Sequence, residues 1–144
     1  MDGLQRYRAG LLAAWARQPK ALAAAWRAIP RSAQQSTATQ AIVLALWQWE
    51  TQVGLPNLRA LLAGRPPSHT LAPLSTPLPP IPQALADYRH GRAQALTWLE
   101  GACPRVWSLL GRHPHHGLRT VQWWVEASLA HGQRALRRLT AFRS

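Results

Sequence analysis

Six histidines are the side chains best suited to chemistry in this 144-residue chain. His113, His115 and His116 stand together in the segment His-Pro-His-His-Gly, and His69, His90 and His131 lie elsewhere. Imidazole ligates zinc, nickel and copper, and it titrates near neutrality, so it serves as a ligand or as a general base. One reading is a metal site that combines His131 with loop histidines from among His113, His115 and His116. No cysteine or carboxylate lies near them in sequence to complete such a set. His131 follows Trp124 and Ser128 along a helical ridge. It is either a base in a pocket at the end of a bundle or a histidine hydrogen-bonded at the edge of the core.

The remaining reactive residues are sparse. Glu50, Glu100 and Glu126 are scattered, and no paired-acid, triad or glycine-rich phosphate motif accompanies them. Cys103 is the single cysteine, which excludes an internal disulfide framework and a multi-cysteine zinc site. It precedes Pro104 without a basic or histidine neighbour at helical spacing, so a buried, inert thiol is expected. Arg134, Arg137 and Arg138 fall at i, i+3 and i+4 on one helix face, and Arg143 extends them. They form either a phosphate-binding patch for nucleic acid or a solvated face. No helix-turn-helix, zinc-finger or RNA-binding motif supports the former.

The elements that carry these residues read as helices. Leu4, Tyr7, Leu11, Trp15, Leu22, Trp26 and Ile29 recur at helical spacing. Pro19 predicts a kink or two shorter helices, and Pro30 ends the run. A second helix is expected over about Thr37–Ala63, with Ile42, Leu46, Trp49 and Val53 on one face and a bend near Pro56. Residues 65–82 hold Pro66, Pro67, Pro73, Pro77, Pro79, Pro80 and Pro82, a density that excludes a helix or a central strand. An extended crossover is expected there. At about 3.1 Å per residue it can span about 55 Å, the full length of a bundle. A third helix is expected over about Gln83–Ala102, along Leu85, Tyr88, Ala95 or Leu96, Leu99 and Cys103. A short helical turn follows Pro104, then a loop at 113–117. A last helix is capped by Thr120 and runs to about Phe142. Strand signals are absent.

The result is an all-α chain, a four-helix bundle in a single domain over residues 1–144. The crossover joins helices two and three, so these run parallel in an up-down-down-up order. Eight tryptophans are assigned mainly to the core. In the pairs Trp47/Trp49 and Trp123/Trp124 one member must sit at an edge, a dimer face or a pocket wall.

Composition bounds the partners. There are 17 Lys+Arg against 5 Asp+Glu, a formal net charge of +12, which favours polyanions. Lys20 is the sole lysine, so the arginine excess also fits a compositional bias carried on solvated faces. The apolar runs fall far short of the roughly 20 residues of a membrane span. The opening segment continues as an amphipathic helix, not a signal peptide. A cytoplasmic protein with no membrane partner is expected.

The stretch Arg112–Leu139 resembles the DinB-like (damage-inducible B or YfiT-like) family. His113, Pro114, Gly117 and Thr120 match that family's loop, and His131 stands where the first of two helical histidines belongs. Ala41–Thr51 resembles the family's second-helix segment, with Glu50 at its acidic position. The resemblance implies a four-helix bundle, a homodimer and a divalent metal held by one histidine of helix two and two of helix four. Some members are metal- and thiol-dependent transferases. Here Ala45 and Ala135 occupy the positions of the other two ligands. One imidazole cannot hold zinc or nickel in a three-ligand site. The expectation is a DinB-like protein without the metal, acting in ligand binding or protein interaction. Its remnant site comprises His131, Glu50, Trp124 and Ser128. The alternatives are a zinc- or nickel-dependent transferase or hydrolase and a nucleic-acid binder.

Overall fold

The computed structural model describes residues 2–72 and 77–142, and it is mostly helical. Helix α1 spans Gly3–Arg27. Asp2 caps it by accepting from the Gln5 amide at 2.7 Å, and the Gln5 side chain returns to the Asp2 amide at 3.0 Å. The helix runs unbroken through Pro19, contrary to the expected kink. Pro19 lacks the N–H that would bond the Trp15 carbonyl four residues back. Arg92 Nη1 takes that carbonyl instead, at 2.7 Å, which satisfies the orphaned acceptor. Leu4 and Tyr7, expected on the core stripe, are exposed, while Arg8 is buried.

A single-turn helix α2 (Arg31–Gln34) leads to α3 (Thr37–Trp49). A π-helical turn, Glu50–Gly54, then joins α3 to α4 (Leu55–Leu62). The irregularity expected at Pro56 takes this form one turn earlier. The wider turn, in which the Leu55 amide reaches the Glu50 carbonyl, makes room for a ring that cannot follow a tight α-turn. Gly54 is required there, because a Cβ would lie 2.6 Å from the Trp49 indole.

Gly64, at φ +73°, turns the chain back over α4 into the crossover. The described parts of the crossover contain no regular element. It is tied down by polar side chains of the preceding helices. Gln48 donates to the Ala72 carbonyl and Gln52 accepts from the Ala72 amide, both at 3.1 Å. Asn57, fully buried, pairs with both peptide groups of His69 at 2.8 and 2.9 Å.

Helix α5 spans Ile81–Leu99, ending before the expected Ala102. Cys103 therefore stands outside it, at the start of the four-residue α6 (Pro104–Trp107), and is exposed rather than buried. Two strands follow, where none was expected: β1 (Leu110–His113) pairs antiparallel with β2 (Gly117–Thr120). Gly117, at φ +70°, closes the turn between them. Gly111 and His113 face inward, where a Cβ on Gly111 would strike Leu61 and Pro67. Leu110 and Leu118 face outward. Thr120 caps α7 (Val121–Thr140), accepting from the Trp123 amide at 3.1 Å.

Helix α1 packs against α5 and α7, and α3 packs against the same two. Two apolar clusters fill the interior. One joins Leu22 of α1 and Ile29 just past its end to Ile42 of α3, Ile81 of α5 and Leu139 of α7. The other joins Leu11 of α1 to Leu58 of α4, Leu99 of α5 and Val121 of α7. Trp49 and Trp124 are buried, and their neighbours Trp47 and Trp123 sit at edges. No described helix is long and apolar enough to cross a membrane.

Candidate functional site

Between the two apolar clusters lies a polar centre. Arg92 of α5 and Glu50 of the π turn are both fully buried and form an ion pair at 3.0 Å. Arg92 Nη1 also donates to Gln18 Oε1 at 3.1 Å, and Nη2 donates to the Tyr88 hydroxyl at 2.5 Å and to Ser128 Oγ at 3.1 Å. Ser128 sits within 2.7 and 2.8 Å of the two Glu50 oxygens, to which its hydroxyl donates, and it accepts from Trp15 Nε1 at 2.8 Å. Tyr88 in turn donates to Gln18 Oε1, and Gln18 Nε2 donates to the Leu129 carbonyl. Gly132 lets Gln18 reach across, since any Cβ there would overlap its amide. The Arg92 guanidinium also lies over the Trp15 and Tyr88 rings, at 4.6 and 4.8 Å. Burial pushes the Tyr88 hydroxyl well above its ordinary pKa, with Arg92 opposing, so it remains a donor. These bonds link α1, the π turn, α5 and α7 in one buried polar network.

The expected remnant site therefore divides. Glu50 and Ser128 meet in the polar centre, with Arg92 as the partner that sequence reasoning missed. Trp124 is buried with its indole N–H unpartnered among the described residues, edge-on to His113 at 5.4 Å. His131 stands apart from the polar centre and stacks on Trp49, ring centroids 3.9 Å apart and planes 23° from parallel.

His131 lines a cavity of about 270 Å³ with Ile42, Ala45, Leu46, Trp49, Leu71 and Ala135, and Arg134 and Arg138 also border it. The three positions at which the DinB-like resemblance implies metal ligands, 45, 131 and 135, thus border one cavity. Burial lowers the His131 pKa below its ordinary 6.5, and the charges of Arg134 and His116 add to this. Among the described residues no carboxylate lines the cavity. A second cavity of about 260 Å³ shares Trp49 and Leu71 with the first and is lined by His113, His115 and His116.

The loop histidines are not equivalent. His113 is buried, and the amides of His115 and His116 donate to its Nδ1 at 3.1 and 3.3 Å. Its Nε2 therefore carries the proton and donates to the His69 carbonyl at 2.7 Å. Both ring nitrogens are committed, which makes His113 a structural clamp. His115 and His116 are exposed. His116 has its pKa lowered, by partial burial first and then by His113, Arg119 and His115. Among the described residues no three His, Cys, Asp or Glu converge to hold a metal. Arg134, Arg137 and Arg138 are exposed along α7, and Arg143 lies outside the described residues.

No protein-family model matches the chain, and no curated protein matches it.

Proposed function

We propose that this chain is a DinB-like four-helix bundle, ordered up-down-down-up, whose metal site has been replaced by a cavity for a small non-metal ligand. The observation that carries the reading is the meeting of Ala45, His131 and Ala135 around one cavity. The bundle order is supported by the two apolar clusters. The C-terminal end of α1 shares a cluster with the N-terminal ends of α3 and α5 and the C-terminal end of α7. A stacked Trp49–His131 floor, apolar walls, Arg134 and Arg138 and the lack of a carboxylate suit a small anion with an apolar body. The reading extends to a cytoplasmic homodimer. The exposed Leu110 and Leu118, diagonal to each other on the hairpin, support a contact face.

The test restores what is missing. Wild-type protein, purified without a tag, is expected to carry no stoichiometric zinc or nickel. The double variant Ala45→His/Ala135→His is expected to bind about one zinc per chain, because three imidazoles then share a cavity. Stoichiometric metal in the wild type that disappears in His131→Ala would overturn the reading in favour of a metal-dependent transferase.

A further inference from the structure

A cavity of about 760 Å³ lies away from His131, between α4, α5 and the crossover. That is the size of a small-molecule site. Its lining combines three kinds of surface. Arg59 and Arg65 supply positive charge, and among the described residues no carboxylate lines the cleft. Trp98 and Leu55 supply an apolar wall, with the Arg59 guanidinium 5.9 Å from the Trp98 ring centre. Gln94 and Ser68 supply uncharged hydrogen-bonding groups.

The wall formed by the crossover is built in place. Gly64 reverses the chain, and the Arg65 amide bonds the Ala60 carbonyl at 2.8 Å. Asn57 and His113 then fix the His69 peptide from two sides. A cleft with fixed walls is preorganised, so little ordering cost falls on a ligand.

We propose that this cleft binds a small aromatic anion of nucleoside-monophosphate size. The phosphate pairs with Arg59 and Arg65, whose planar guanidinium groups suit its oxygens. The base lies against Trp98, and Gln94 meets its polar edge. This site is independent of the His131 cavity.

Calorimetric titration with adenosine monophosphate, adenosine, inorganic phosphate and a short oligothymidylate tests the proposal. The monophosphate is expected to bind at least about tenfold more tightly than adenosine or phosphate alone, because both halves of the cleft contribute. Arg65→Gln, at an exposed position outside the helices, is expected to weaken binding about fivefold or more, and Trp98→Leu similarly. His131→Ala is expected to leave it unchanged. Absence of monophosphate binding at millimolar concentration would overturn the proposal. So would equal affinity in Arg65→Gln with an unaltered thermal melt, or loss of binding in His131→Ala. Binding of the oligothymidylate without the monophosphate would replace it with a nucleic-acid surface.

Discussion

Arg92 illustrates how one residue resolves three problems at once. It neutralises a buried carboxylate, fills the carbonyl left open by Pro19 and orients Tyr88 and Ser128. Removing it alone strands Glu50 in the interior, so Arg92→Met is expected to lose about 3 to 5 kcal/mol of stability. The double variant Glu50→Leu/Arg92→Met removes both charges and is expected to lose less than Arg92→Met alone. Urea unfolding of the variants in a double-mutant cycle decides this. His131 sets a pH dependence of known sign. Its pKa is lower in the folded chain than the ordinary 6.5, so the unfolded chain binds the proton more readily. Its contribution is fully present above 6.5 and is lost as pH falls through the depressed value. His116 shifts in the same direction. Thermal melts between about pH 8 and about pH 5 are expected to show a fall in stability that His116→Gln/His131→Gln reduces. At this scale the sequence was partly legible. Glu50, Ser128 and His131 drew attention by type. Arg92 did not, although it stands on the stripe between Tyr88 and Ala95 where an apolar residue belongs. A charged residue on such a stripe calls for a buried partner, and Glu50 on the facing helix was available.

At the scale of elements, the helices were legible because prolines, caps and apolar spacing mark them. Pro19 misled because a helix can tolerate proline when another donor takes the freed carbonyl, and that donor comes from 77 residues away. The hairpin escaped because four-residue strands are too short for alternation to register, and because two glycines carry its turn and its inward face. Asn57 was also missed, since its partner is the backbone of a proline-rich segment whose path has no sequence signature. Its role can be measured. Asn57→Ala leaves the His69 amide without its partner and is expected to cost about 1 to 3 kcal/mol. Limited thermolysin digestion is expected to cut faster before the exposed Leu71, because the crossover loses its anchor to α4. A similar test applies to the π turn. Gly54→Ala would push against Trp49, and about 1 to 3 kcal/mol of destabilisation is expected in urea unfolding, as for an overpacked core.

For the whole molecule, the balance of 17 basic to 5 acidic residues sets the response to salt. The carboxylates do little to offset the surface arginines. Glu50 is sealed with the buried Arg92, and the other four acidic residues face the other sixteen basic ones. Repulsion among the remaining guanidinium groups is screened as the Debye length shrinks from about 30 Å at 0.01 M to about 3 Å at 1 M salt. The unfolding temperature is therefore expected to rise with sodium chloride, as differential scanning calorimetry would show. The same net charge says nothing about fold, and the helices had to be read from spacing alone. The polar centre has a temporal counterpart. It draws on Trp15 and Gln18, on Glu50, on Tyr88 and Arg92, and on Ser128, so its last bonds wait for α7 to be synthesised. Contacts of such sequence separation make folding slower than in helical proteins built from neighbouring segments. Until Ser128 arrives, a nascent chain holds a carboxylate and a guanidinium that have no complete interior to enter. The network is thus complete only once α7 is in place.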